Sequence, residues 1–143
     1  MKTTMKAAIL LLSGCILFSQ ASLAGKPDKP PKPPKPAPVD CVEFVDLGSA
    51  CTYELNQAHM TLGVYKDAFK SDKDFVGLRC KVVQSEVKMS EDKPADAFVK
   101  LDDSYNKIWI LVSQRKLDKS AAALIADDIG VARDCAEEAE ANQ

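Results

Sequence analysis

The chain is poor in histidine, the side chain most often used as a general acid or base. It carries one histidine, His59, and one tryptophan, Trp109, in 143 residues. A Ser-His-Asp or Cys-His site would have to use that one histidine. No G-x-S-x-G, H-E-x-x-H, C-x-x-C-H or glycine-rich phosphate loop occurs. The sequence motifs of a hydrolase elbow, a zinc protease, covalent haem and a P-loop are therefore missing. No Asn-Gly pair marks a β-hairpin. The longest apolar run, Ala7–Phe18, is twelve residues and is broken by Ser13 and Gly14. That is too short for a transmembrane helix. Beyond residue 38 the chain has only one proline, Pro94.

What is present begins with the N-terminus. Lys2 and Lys6 precede the apolar run, Ser19-Gln20 follows it, and Ser22-Leu23-Ala24 places small residues where a signal peptidase reads. Residues 1–24 are expected to be a cleaved secretory signal. Leu12-Ser13-Gly14-Cys15 also resembles a bacterial lipobox, so a lipoprotein anchored at Cys15 is the alternative. Against it, Ile-Leu-Phe follows Cys15 where such chains usually turn polar.

Residues 25–38, "GKPDKPPKPPKPAP", hold seven of the eight prolines. Proline fixes φ and removes backbone donors, so a disordered, extended polyproline II linker is expected, reaching roughly 40 Å. Its four lysines and one aspartate give +3, whereas residues 39–143 hold 13 cations and 20 carboxylates, a net −7. The basic arm suits weak contact with anionic surfaces. The acidic domain argues against nucleic-acid binding, having little to neutralise phosphates.

Four cysteines lie beyond Cys15: Cys41, Cys51, Cys80 and Cys135. An even number in an exported chain implies two disulfides. Their gaps of 10, 29 and 55 residues lack the close pairs of a zinc site.

The segment 39–143 reads as one helical domain. Phe44, Leu47, Cys51, Leu55, Ala58, Leu62, Tyr65 and Phe69 recur at spacings of three and four, which predicts a first helix over about 47–70. Phe75, Leu78, Val82, Val83 and Val87 predict a second over about 73–90. Ala97, Phe98, Leu101, Tyr105, Ile108 and Val112 predict a third over about 94–116, with Pro94 in its first turn. Ala121, Leu124, Ile125, Asp128, Val131, Ala132 and Cys135 predict a fourth over about 119–140. Short connections make neighbours antiparallel, so the expected fold is an all-α, disulfide-stapled, up-down-up-down four-helix bundle. Two K-x-D-K turns, Lys70–Lys73 and Lys116–Lys119, hint at duplication.

The bundle orders the cysteines. Cys51 and Cys135 fall at one end, while Cys80 lies over ~10 Å away along the axis. A disulfide cannot span that. Cys51–Cys135 with Cys41–Cys80 is the favoured pairing, and Cys41–Cys135 with Cys51–Cys80 the runner-up.

Other polar groups offer little chemistry. His59 with Met60 or Met89 is a weak soft-ligand set. Asp102–Asp103 and Asp127–Asp128 are adjacent, hence about 100° apart on a helix, and do not converge. Glu137, Glu138 and Glu140 read as a solvated end. The third helix is less plain. Lys107–Val112 reads "KIWILV", with Trp109 beside the inward face and Ile110 nearly opposite it. Val99 and Leu117 fall on the same outward stripe. Val99, Trp109, Ile110 and Leu117 are therefore candidates for a partner-binding patch, unless the 39–46 segment covers them.

The expected function is an exported, non-enzymatic interaction module, such as an inhibitor, immunity-type protein or adaptor. Its partner would be another exported or envelope protein, and no cofactor is expected. A carrier of a small ligand or metal in the bundle interior is the alternative. Export predicts a mature chain starting at Gly25, measurable by intact mass. A diacylglyceryl adduct on Cys15 would contradict it.

Overall fold

The computed structural model describes Pro30, Pro31 and residues 41–143. Pro30 and Pro31 are exposed. The expected signal peptide, Cys15 and the remainder of the 25–38 linker lie outside the described residues.

Among the described residues four helices follow in order: α1 (Thr52–Val64), α2 (Asp72–Ser90), α3 (Pro94–Ser113) and α4 (Lys119–Ala141), with a 3-10 turn at Lys66–Ala68. Each packs on its chain neighbours, and α4 closes on α1. This is the up-down-up-down four-helix bundle. The 3.6-residue periodicity places Leu55, Leu62, Leu78, Val82, Leu101, Ile108, Leu111, Ile125 and Ile129 fully inside. α4 presents Ala122, Ala126, Ala132 and Ala136 inward as well, so its backbone can approach its neighbours closely. Ser85 and Ser104 are buried on α2 and α3, and their hydroxyls donate to the carbonyls of Lys81 and Lys100, each at 2.7 Å. The i−4 carbonyl thus satisfies a buried polar group within its own helix.

The helix ends have local causes. Asp118 caps α4, its carboxylate accepting from the N–H groups of Ser120 and Ala121, both at 3.1 Å. Pro94 occupies the first turn of α3, where no amide donor is needed.

The first helix is shorter than the 47–70 expected. Gly48 adopts φ +70°, outside the helical region. Around it Leu47–Thr52 is pinned to Glu86, a buried carboxylate on α2. Glu86 Oε1 accepts from Leu47 N–H at 3.1 Å, Ser49 N–H at 3.4 Å and Thr52 Oγ1 at 2.5 Å. Its Oε2 accepts from Ser49 Oγ at 2.6 Å. At the other end Phe69 turns extended and pairs with Leu117 in an isolated antiparallel bridge. The third helix stops at Ser113 rather than 116, because Arg115 takes a left-handed φ of 57° and ends the regular spiral.

The disulfides are Cys41–Cys80, with Cα atoms 4.9 Å apart, and Cys51–Cys135, at 5.9 Å. The second joins the start of α1 to the last turns of α4 across 84 residues of sequence. In the chain-entropy account a loop of that size contributes about 4 kcal/mol. A Cys51→Ser, Cys135→Ser protein is predicted to lose about that much in urea unfolding. Stability equal to that of the parent would contradict the assignment.

Candidate interaction surface

The four candidate residues do not share one surface. Trp109 is 38% exposed and Ile110 47%, side by side on α3. Val99 is exposed too. It lies eleven residues from Ile110, about 16 Å along the helix, with exposed Asp103 and Asn106 on the stripe between. Leu117 is a correction. It is only 4% exposed, because it lies beyond the end of α3 and turns inward to face Phe69. The wheel that put it outward assumed a helix that has already ended. Of the N-terminal segment, Leu47 and Ser49 bond to Glu86 of α2, and Cys41 is disulfide-linked to Cys80.

Around Trp109 a structured face has formed. Its indole meets the ring of Tyr105, one turn earlier, edge-on with centroids 6.3 Å apart. The Arg133 guanidinium of α4 sits over Tyr105 at 4.8 Å, a cation–π contact. Arg133 also reaches Asp102 of α3 and Asp134, each at 3.3 Å. Two half-buried aromatics, an arginine and two carboxylates therefore hold each other in place on the α3–α4 face. Trp, Tyr and Arg are the residue types that dominate interface energetics. Pre-ordering them lowers the entropy lost on binding.

Spacing alone puts Tyr105 on the inward stripe and does not single out Arg133. A signal existed: after Lys119, Arg133 is the only basic residue to the end of the chain. A second apolar ridge lies on α1, where Tyr53, Met60 and Val64 are exposed at i, i+7 and i+11. That spacing is helical but opposite the core stripe.

His59 is buried between α1, α2 and the N-terminal segment. Its Nε2 accepts from Arg79 Nε–H at 3.0 Å and lies 3.3 Å from the Cys41 carbonyl. Its ring packs against Phe44, centroids 5.7 Å apart. Arg79 in turn donates to the Val42 carbonyl at 2.6 Å and lies over the Phe75 ring at 5.4 Å. This is a clasp on residues 41–44. Met89 lies ten residues along α2 from Arg79, about 15 Å away, so it does not join His59. Met60 is exposed. Asp102 and Asp103 diverge to Arg133 on α4 and Lys81 on α2. Asp128 accepts from Thr61 Oγ1. Among the described residues no group of three or more His, Cys, Asp or Glu gathers as a metal site.

Comparison with protein-family models, curated proteins and solved structures finds no match to this chain.

Burial holds the His59 pKa below its ordinary value, the Cys41 carbonyl opposes this, and the Arg79 charge adds to it. The unfolded chain therefore takes up the proton first. The stabilisation is full above the unfolded pKa, about 6.5, and is lost as pH falls through it towards the lower folded value. Melting temperature is predicted to fall from pH 7 to 5.5 in the parent protein and to stay nearly flat in His59→Gln. Equal slopes would contradict the clasp.

Proposed function

We propose that this protein is an exported, non-enzymatic interaction module that docks another exported or envelope protein through its α3–α4 face. The observation that carries the reading is the Trp109 cluster. The only tryptophan of the chain is half-exposed beside Ile110 and braced by Tyr105, which Arg133 covers. Trp109 and Ile110 form an adjacent exposed apolar pair backed by ordered aromatic and arginine side chains, the kind of residue set that interaction surfaces present. Trp109 and Ile110 would enter an apolar pocket on the partner, with Arg133 and its carboxylates at the polar rim.

Export is supported by the signal pattern of residues 1–24 and by the two disulfides, which fit an oxidising compartment. The Pro-Lys segment would serve as a spacer that carries the bundle away from its attachment or cleavage point. In this reading the bundle interior is structural, because its inward positions are taken up by a continuous apolar core.

The test uses three variants, with captured protein from the exported fraction as the readout. Ile110→Glu is predicted to shift stability by no more than about 0.5 kcal/mol, as an exposed site should. It and Trp109→Ala are predicted to abolish capture of a partner that the parent retains. Met60→Glu, on the α1 ridge, is predicted to keep it. Loss of capture with Met60→Glu alone would move the interface to α1. A steep fall in melting temperature with Ile110→Glu would show that Ile110 serves the fold.

A further inference from the structure

The two K-x-D-K segments, far apart in sequence, lie side by side. Lys70 N–H donates to the Lys116 carbonyl at 2.9 Å, and Asp118 N–H to the Ala68 carbonyl at 3.3 Å. Phe69 and Leu117 pair between them. The α1–α2 and α3–α4 connections are thereby tied together at one end of the bundle. That end gathers Lys66, Lys70, Lys73, Arg115, Lys116 and Lys119, all exposed.

These six differ from the other cations of the bundle. Lys81, Lys88, Lys93, Lys107 and Arg133 each lie within 4 Å of a carboxylate. Arg79 bonds to His59 and Val42, and Lys100 to Gln84. Among the described residues, none of the six at the loop end has a carboxylate or hydrogen-bonding side-chain partner. Lys66 has only the Phe75 ring, 5.8 Å from its ammonium. Of the nearby carboxylates, Asp74 pairs with Lys107 at 3.5 Å, while Asp118 caps α4 through neutral donors and keeps its charge. Asp67, Asp72 and Asp118 thus offset three of the six positive charges and leave a net +3. Glu137, Glu138 and Glu140 sit at the opposite end, in the last turns of α4. The domain is acidic overall but polarised along its axis.

Three of the cations, Lys70, Arg115 and Lys119, line a cleft of about 490 Å³ together with Asp67, Asp118, Phe69 and Leu117, and the other three lie outside it. Five of the six are lysines, point charges without the fork that grips one phosphate in two places. Such a spread of ammonium groups fits a surface of many phosphates better than a single anion. Val64, the last residue of α1, is 75% exposed at this same end, where it would add an apolar contact at headgroup depth.

We propose that the loop end of the bundle docks on an anionic bilayer, its lysines on lipid phosphates. This surface is distinct from the α3–α4 face and does not depend on it, so one chain could hold a partner while resting on a membrane.

The experiment is co-sedimentation of the full chain with vesicles of phosphatidylcholine, with and without phosphatidylglycerol. One variant carries Lys70→Gln, Arg115→Gln, Lys116→Gln and Lys119→Gln. A control carries Lys81→Gln, Lys88→Gln, Lys93→Gln and Lys107→Gln, the same charge change at paired lysines. Both keep the Pro-Lys segment, and circular dichroism checks their fold. The parent and the control are expected to bind only the anionic vesicles, and the first variant roughly tenfold or more weakly. Equal losses in both variants would reduce the effect to net charge and overturn the proposal. So would no loss in the first variant, or equal binding to neutral vesicles. Inorganic phosphate that releases the chain at an ionic strength where chloride does not would make the cleft a site for free phosphate instead. Binding to polyglutamate without binding to vesicles would assign the end to acidic proteins, again overturning it.

Discussion

The covalent link from Cys51 to Cys135 is the constraint on which the rest of this structure depends. It ties the first helix to the last and so closes the ring of four. α4 packs on both α3 and α1, with Ile125 and Ile129 set among the alanines of its inward face. The link is itself prepared by Glu86. By accepting from Leu47, Ser49 and Thr52, that carboxylate sets the path of the chain into α1 and so the position of Cys51. A buried charge with four donors is costly to break, since the loss of one partner strands the others. The same chain of dependence reaches the surface. Arg133 covers Tyr105 only while α4 is held against α3, and Tyr105 is the ring against which Trp109 rests.

Much of the fold was legible because helical burial has a period. Leu55, Ala58 and Leu62, or Leu101 and Ile108, could be placed inward from spacing alone, and the axial positions of the cysteines then selected their pairing. The ends were harder, for reasons that spacing does not contain. Phe44 and Leu47 continue the stripe of the first helix by coincidence. Phe44 in fact packs on His59 from a non-helical segment, and Leu47 is exposed. Glu86 occupies a gap in the apolar stripe of α2, four residues after Val82. A lone carboxylate at an inward position was the visible sign of a buried anchor, but its donors come from 34 to 39 residues away. Leu117 shows the cost of extending a wheel past its helix: a left-handed residue at Arg115 reverses which way the next side chains point.

The surface is less legible than the core, because an exposed side chain is defined by what its neighbours leave uncovered. Trp109 and Ile110 were found from an apolar run, whereas Arg133 and the six loop-end cations depend on which helices and loops become neighbours. The fold thus separates two kinds of attraction. An aromatic, short-range face lies on α3–α4, and a long-range positive end lies where the connections meet. The first suits shape-specific docking and the second electrostatic approach.

Because Trp109 is the only tryptophan, the intrinsic fluorescence of the whole protein reports on the central claim at one position. Acrylamide quenching of that signal should be appreciable in the free protein, as a half-exposed indole requires. It should fall, with a blue shift, when a captured exported or envelope partner is bound. A stable complex in which Trp109 stays as quenchable as in the free chain would contradict the account.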